Sequence, residues 1–174
     1  RAPEAGPTLI AIATKNPALQ PAVLVILGER AEFALVPKFE PFLQSPEDAV
    51  RKEAWKALGK TADGRTFARL VAWLPVVKDQ ELNQAESAIR AASKNVDPAT
   101  RAAAFAAAWG KASVSAKKAL AGLMAGYPDA AFLPLLSGAL SDADNGLRET
   151  ALRALAVWPS IAALGALKEA VTAQ

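Results

Sequence analysis

The chain has 174 residues, with 20 Lys and Arg against 17 Asp and Glu, a net charge of +3, and neither cysteine nor histidine. Those two absences exclude disulfide frameworks, thiolate nucleophiles, the usual zinc sites, Ser-His and Cys-His pairs and histidine acid/base chemistry. The hydrophobic fraction is 52% with only 6% aromatic, so the apolar content is mostly Ala, Leu and Val, a mixture that favours closely packed helices in a chain long enough to bury about 70% of its unfolded surface.

In chain order, the opening RAPEAGP has no initiator Met and no charged-then-apolar leader. The expectation is a single domain over residues 1–174, a fragment of a longer protein, with an exported bacterial origin as the leaning. First helices are predicted at Thr8 to Thr14, Phe33 to Leu43, Thr66 to Val77, Pro98 to Trp109 and Asp129 to Leu140. Their partners are predicted at Pro17 to Gly28, Pro46 to Lys60, Gln80 to Lys94, Ser113 to Gly126 and Asp144 to Val157, with a last helix from Ser160 to Thr172. Pro37, Pro41, Pro75 and Pro134 fall in or at the ends of first helices and predict kinks. Ser45 is placed to cap the second unit's partner helix, with Pro46 at its first position. The apolar run Ala22 to Leu27 is far too short to span a bilayer, which takes about 20 residues.

The same phrase recurs along this order. The pattern A-x-x-[AV]-[LI] occurs at Ala22, Val25, Ile26; at Ala54, Ala57, Leu58; at Ala85, Ala88, Ile89; at Ala116, Ala119, Leu120; and at Ala151, Ala154, Leu155, at spacings of 32, 31, 31 and 35 residues. Fifteen residues before Leu58, Ile89, Leu120 and Leu155 stand Leu43, Leu74, Phe105 and Leu140, all large and apolar. Such a period implies a helical hairpin repeated about five times, each copy burying its apolar face against the next. The predicted fold is all-α, a right-handed α-α superhelix of about five hairpins plus a terminal helix.

Val50-Arg51-Lys52-Glu53-Ala54-Trp55-Lys56-Ala57-Leu58-Gly59 resembles the second helix of a HEAT repeat, and Leu147 to Leu155 resembles it too, with Ala156 in place of the glycine. The short period is similar to that of the bacterial HEAT-like repeats named after phycobilisome lyases. That resemblance implies an armadillo-like solenoid, and a ladder in which a turn Asp bonds the Arg opening the second helix. Asp142 and Arg148 match the ladder's spacing, whereas Ser45 stands opposite Arg51 where the Asp would be, and Leu82 and Ser113 replace the Arg.

Candidate chemistry is sparse. Asp142-Ala143-Asp144-Asn145-Gly146 alternates oxygen ligands as a calcium loop does, but its glycine is fifth and Arg153 stands at the twelfth position, so a capped turn is the better account and no metal or cofactor is expected. Glu40 and the pair Glu47-Asp48 form no recognisable acid/base set, and no phosphate loop occurs. No catalytic residue is assigned and the protein is expected not to be an enzyme. Trp73 and Trp109 fall on apolar stripes and are expected in the core; Trp55 follows the framed Ala54 and is expected to be partly exposed. Lys56, Lys118 and Arg153 occupy equivalent positions in three second helices, with Ser87 in the unit between. With Lys52 and Trp55 they are the candidate binding residues of a concave face. The expected partner is a protein or another domain of the same polypeptide. Nucleic acid, as in HEAT-like alkylpurine DNA glycosylases, is the lesser expectation, and a lyase-type or chaperone-like accessory role follows only from the resemblance.

Overall fold

The structure is a computed structural model that describes residues 4–159, 163–165 and 167–168. Among these residues the chain is all-helical, with no strand. The five second helices among the described residues are α2 (Gln20–Arg30), α4 (Asp48–Thr61), α6 (Leu82–Ser93), α8 (Val114–Gly126) and α10 (Asn145–Ala156). The first helices are α1 (Ala5–Lys15), α3 (Val36–Phe39), α5 (Phe67–Ala72), α7 (Pro98–Trp109) and α9 (Leu133–Ala139). The helix predicted from Ser160 to Thr172 lies mostly outside the described residues; 163–165 and 167–168 are helical.

Proline explains why the first helices are broken. The stretch predicted as one helix over Phe33 to Leu43 is a 3-10 turn, Phe33–Leu35, then α3, then a second 3-10 segment, Glu40–Gln44, with Pro37 and Pro41 each in the opening turn of its segment. Pro75 and Pro134 likewise open Leu74–Val76 and α9. A proline is harmless where the amide would be unpaired anyway, so each restarts the helix rather than bending it. By contrast α7 runs from Pro98 without interruption, capped by Asp97, whose carboxylate accepts the Thr100 amide at 2.9 Å. Ser113 and Asp144 cap α8 and α10 in the same way. Ser45 does not cap α4. Glu47 holds the cap position, and Ser45 Oγ accepts only the Glu47 amide, because the lead-in through Pro46 is extended.

Consecutive second helices touch one another: α2 packs on α4, α4 on α6, α6 on α8 and α8 on α10. Ala54, Ala85, Ala116 and Ala151 are buried, as are Leu58, Ile89, Leu120 and Leu155. In α2 the frame differs by one residue from that predicted. Val25 and Ile26 are each 47% exposed, while Val23, Leu24, Leu27 and Gly28 are buried. Aligning Val23 with Ala54 makes each of the first three spacings 31 residues and sets Gly28 opposite Gly59. At these two glycines the helix backbones approach closely. A methyl at Gly28 would lie 3.0 Å from Ala57 Cα, and one at Gly59 would lie 2.8 Å from Ala88 Cα.

The next position in that series is Arg90, and the α6 to α8 contact is built differently. Arg90 Nη2 binds Glu86 at 2.6 Å, and its Nη1 lies beside Gly126. The Tyr127 hydroxyl donates to the Arg90 carbonyl at 3.2 Å, and Arg101 lies over the Tyr127 ring at 4.4 Å. Tyr127 belongs to the stretch that lengthens the fourth interval to 35 residues. On the side of the first helices, Phe67, Phe105 and Phe132 form a row with ring centres 5.9 and 5.8 Å apart, continuous through α5, α7 and the 3-10 turn Ala130–Phe132.

Candidate functional site

The predicted basic row is neutralised residue by residue. Lys56 Nζ lies 2.6 Å from Glu53, Lys118 Nζ 2.8 Å from Asp144, and Arg153 Nη2 3.0 Å from Glu149. The Lys118 pair is also structural, since Asp144 caps α10, and the hydrogen bond from Lys118 together with the Leu147 amide holds the Asp144 carboxyl below its usual range. Asp142 Oδ1 accepts the Asp144 amide at 3.0 Å, so both carboxylates of the calcium-like loop are engaged in shaping the turn. Lys52 is exposed, and no described carboxylate pairs with it.

Trp55 departs from the sequence expectation. It is 1% exposed, the largest fully buried side chain among the described residues, whereas Trp109, at the edge of burial, carries Lys117 over its ring at 5.8 Å. Trp55 matches Leu24 of α2, also buried, and not the polar Glu86 and Lys117 of later units. Small neighbours explain how α4 accommodates it: Ala88 and Ala91 of α6 line the same groove.

The Asp-Arg ladder expected of Asp142, Arg148 and Arg51 is replaced by a clamp on backbone oxygens. Arg148 Nη1 donates to the carbonyls of Asp142 and Ala143 at 2.6 and 3.0 Å. Arg51 Nη1 donates to those of Ser45 and Pro46 at 2.8 and 2.9 Å. The intervals are six and five residues in both units. Because the acceptor is main chain, an Asp is not required at the turn, which is why Ser45 serves as well as Asp142. Arg51 also binds Glu81 through Nε at 2.5 Å, tying α4 to the next unit. Glu81 is 7% exposed, and nothing in its sequence neighbourhood singles it out. Glu40 is engaged by Arg69 in a two-pronged pair at 2.9 and 2.7 Å.

Between α4 and α6 runs a groove of about 420 Å³. Lys52, Lys56 and Lys60, at i, i+4 and i+8, form one wall; Asn83, Ser87 and Ala91, at the same spacing on α6, form the other, with Gln84 beside them. Trp55, Gly59 and Ala88 close the floor, and no carboxylate lines it. Sequence reasoning singles out Lys52, Trp55 and Lys56 of this set and misses Lys60 and the α6 wall. The four-residue spacing of the lysines carries that signal for Lys60; the α6 wall is neutral and carries none. Lys118 and Arg153 lie on other helices and do not line this groove. A larger hollow of about 710 Å³, lined by Ile10, Pro17, Gln20 and Phe42 among others, has Lys38 and Glu47 as charges of opposite sign and so no net preference.

No protein-family model matches the chain, and no curated protein does. No helix of the described residues is long and apolar enough to cross a membrane.

Proposed function

We propose that the chain is a HEAT-like helical-repeat domain, a right-handed α-α superhelix of about five hairpins. It acts without catalysis, as a scaffold that binds a protein partner or a neighbouring domain. The observation that carries this reading is the serial contact of the second helices, α2 through α10, in which Gly28 meets Ala57 and Gly59 meets Ala88 one repeat apart. Side-by-side stacking of hairpins leaves one continuous face of second-helix side chains open along the molecule, the surface repeat proteins use for partners. A shared architecture does not by itself fix function, so the weight rests on the groove between α4 and α6. The nucleic-acid reading draws on Lys56, Lys118 and Arg153. Each of these faces a carboxylate, which weakens the field that phosphate binding needs.

Photo-reactive residues placed singly at Lys52, Ser87 and Arg153 on second helices, and at Lys38, Ala68 and Ala103 on first helices, test the reading in the producing cell. Cross-links from the second-helix positions to one defined protein, absent from the first-helix positions, are the expected result. Cross-linking confined to the first helices, or none from the second, rejects it.

A further inference from the structure

We propose that the groove between α4 and α6 is the docking site for an acidic amphipathic helix of a protein partner, an inference that rests on the interaction reading above. The first argument is charge. Three lysines and no carboxylate line the groove, so an occupant with carboxylates along one edge is complementary and a basic one is repelled.

Spacing supplies the second argument. Lysines four residues apart on α4 repeat about every 6 Å along the helix axis, the interval at which carboxylates at i, i+4 and i+8 repeat on a helix lying alongside. The opposite wall, Asn83, Ser87 and Ala91, is uncharged and short, leaving room for apolar side chains of the occupant over Gly59 and Ala88.

The occupant's backbone is the third consideration. A segment that docks as an added β-strand needs main-chain partners, which a sheet edge supplies, and the described residues include no strand. A helix satisfies its own backbone and presents only side chains to a largely apolar floor.

The lysines are available for such a contact. Lys52 pairs with no described carboxylate. Lys56 and Lys60 pair with Glu53 and Glu29, which lie outside the groove lining, and both lysines remain about half exposed. Pairs of that kind are worth little in water, so exchanging them for carboxylates of a ligand costs little.

The test uses the whole chain and a fluorescein-labelled helical peptide of about 15 residues, carrying Glu at i, i+4 and i+8 beside a stripe of Leu. A permuted peptide of the same composition and a Lys-for-Glu version serve as controls, with binding read by anisotropy at low and physiological salt. The Glu peptide is expected to bind about tenfold or more tighter than either control. Lys52→Glu with Lys60→Glu should weaken it by a similar factor, and Ala91→Trp, which fills the groove from an exposed position, should abolish binding while the helical circular dichroism is retained. Adding Lys56→Glu to the charge reversals should transfer preference to the Lys peptide.

Equal binding of the permuted peptide overturns the proposal, as does indifference to the charge reversals, or preferential displacement of the peptide by a duplex oligonucleotide. Failure of every peptide to bind, while cross-links from Lys52, Ser87 and Arg153 persist, overturns the acidic helix as occupant and leaves the scaffold reading intact. Loss of both removes both.

Discussion

Glycine at position 59 is set by contact rather than by backbone conformation. Its φ is negative, yet a methyl there would lie 2.8 Å from Ala88 Cα and 2.9 Å from the Ala88 carbonyl oxygen. Neither atom can move without shifting α6. Gly59→Ala is therefore expected to destabilise the protein by about 1–3 kcal/mol through overpacking, despite the better helix propensity of alanine. Gly138 in α9 has nothing within 4 Å of the added methyl, so Gly138→Ala should change stability in the opposite sense, by up to about 1 kcal/mol. Urea unfolding of the two variants against the parent checks both signs. If Gly59→Ala proves neutral, the close approach of α4 and α6 is wrong. The sequence contains both glycines in plain view, but only the first interval of the repeat, once Val23 is aligned with Ala54, distinguishes them by setting Gly28 opposite Gly59.

At the level of the elements, units are joined by polar ties as well as by apolar faces. Arg51 satisfies two turn carbonyls of its own unit and the buried carboxylate of Glu81 in the next. Removing the guanidinium leaves that carboxylate buried without its counter-charge, which is costlier than the pair is worth. Arg51→Met is expected to lose about 3 kcal/mol. Adding Glu81→Gln should recover part of that loss, because the orphaned charge goes while the backbone acceptors stay unmet. A double-mutant cycle by denaturant unfolding reads the coupling; strictly additive losses would show that the two side chains act independently. The second helices were legible from the sequence because Ala and Leu recur at a fixed period on a single unbroken helix. The first helices were less so: a proline at the start of a short 3-10 segment and a proline inside a longer helix look the same in one dimension. In the candidate site, three lysines on one helix could be read, whereas the facing wall is built by a helix about 31 residues on whose small neutral residues leave no chemical trace.

For the molecule as a whole, the absence of histidine removes the side chain that ordinarily titrates between pH 5 and 8. The groups that respond to acid are carboxylates. Lys60, by hydrogen bond and charge, lowers Glu29 from its ordinary 4.5. Burial pushes Asp63 up, but hydrogen bonds from Arg65 and Thr66 outweigh it and bring the carboxyl below 3.8. Hydrogen bonds from Thr100 lower Asp97, and Lys118 and the Leu147 amide lower Asp144, both from 3.8. A carboxyl whose pKa is depressed by folding stabilises the native state above its unfolded value, and that contribution is lost as pH falls through the folded value. The melting temperature is therefore expected to be level from pH 8 to 5 and to drop once pH passes below 4.5 and then 3.8. A scanning calorimetry series checks this, and Asp144→Asn, which keeps a capping oxygen but no charge, should flatten part of the acid limb. A steep change near neutral pH would contradict the assignment.

Trp55 gives the groove an optical address. Its indole N–H is sealed from solvent and has no hydrogen-bond partner among the described residues, so its excited state has little polar surrounding to relax against and its emission belongs at the blue end of the tryptophan range. The partly exposed Trp73 and Trp158 emit further to the red, and once Trp109, which is also buried, is replaced by Phe, light selects the one ring beneath the lysines. Any molecule that settles between α4 and α6 and moves that ring rewrites its spectrum, so the protein can report occupation of the groove without a label.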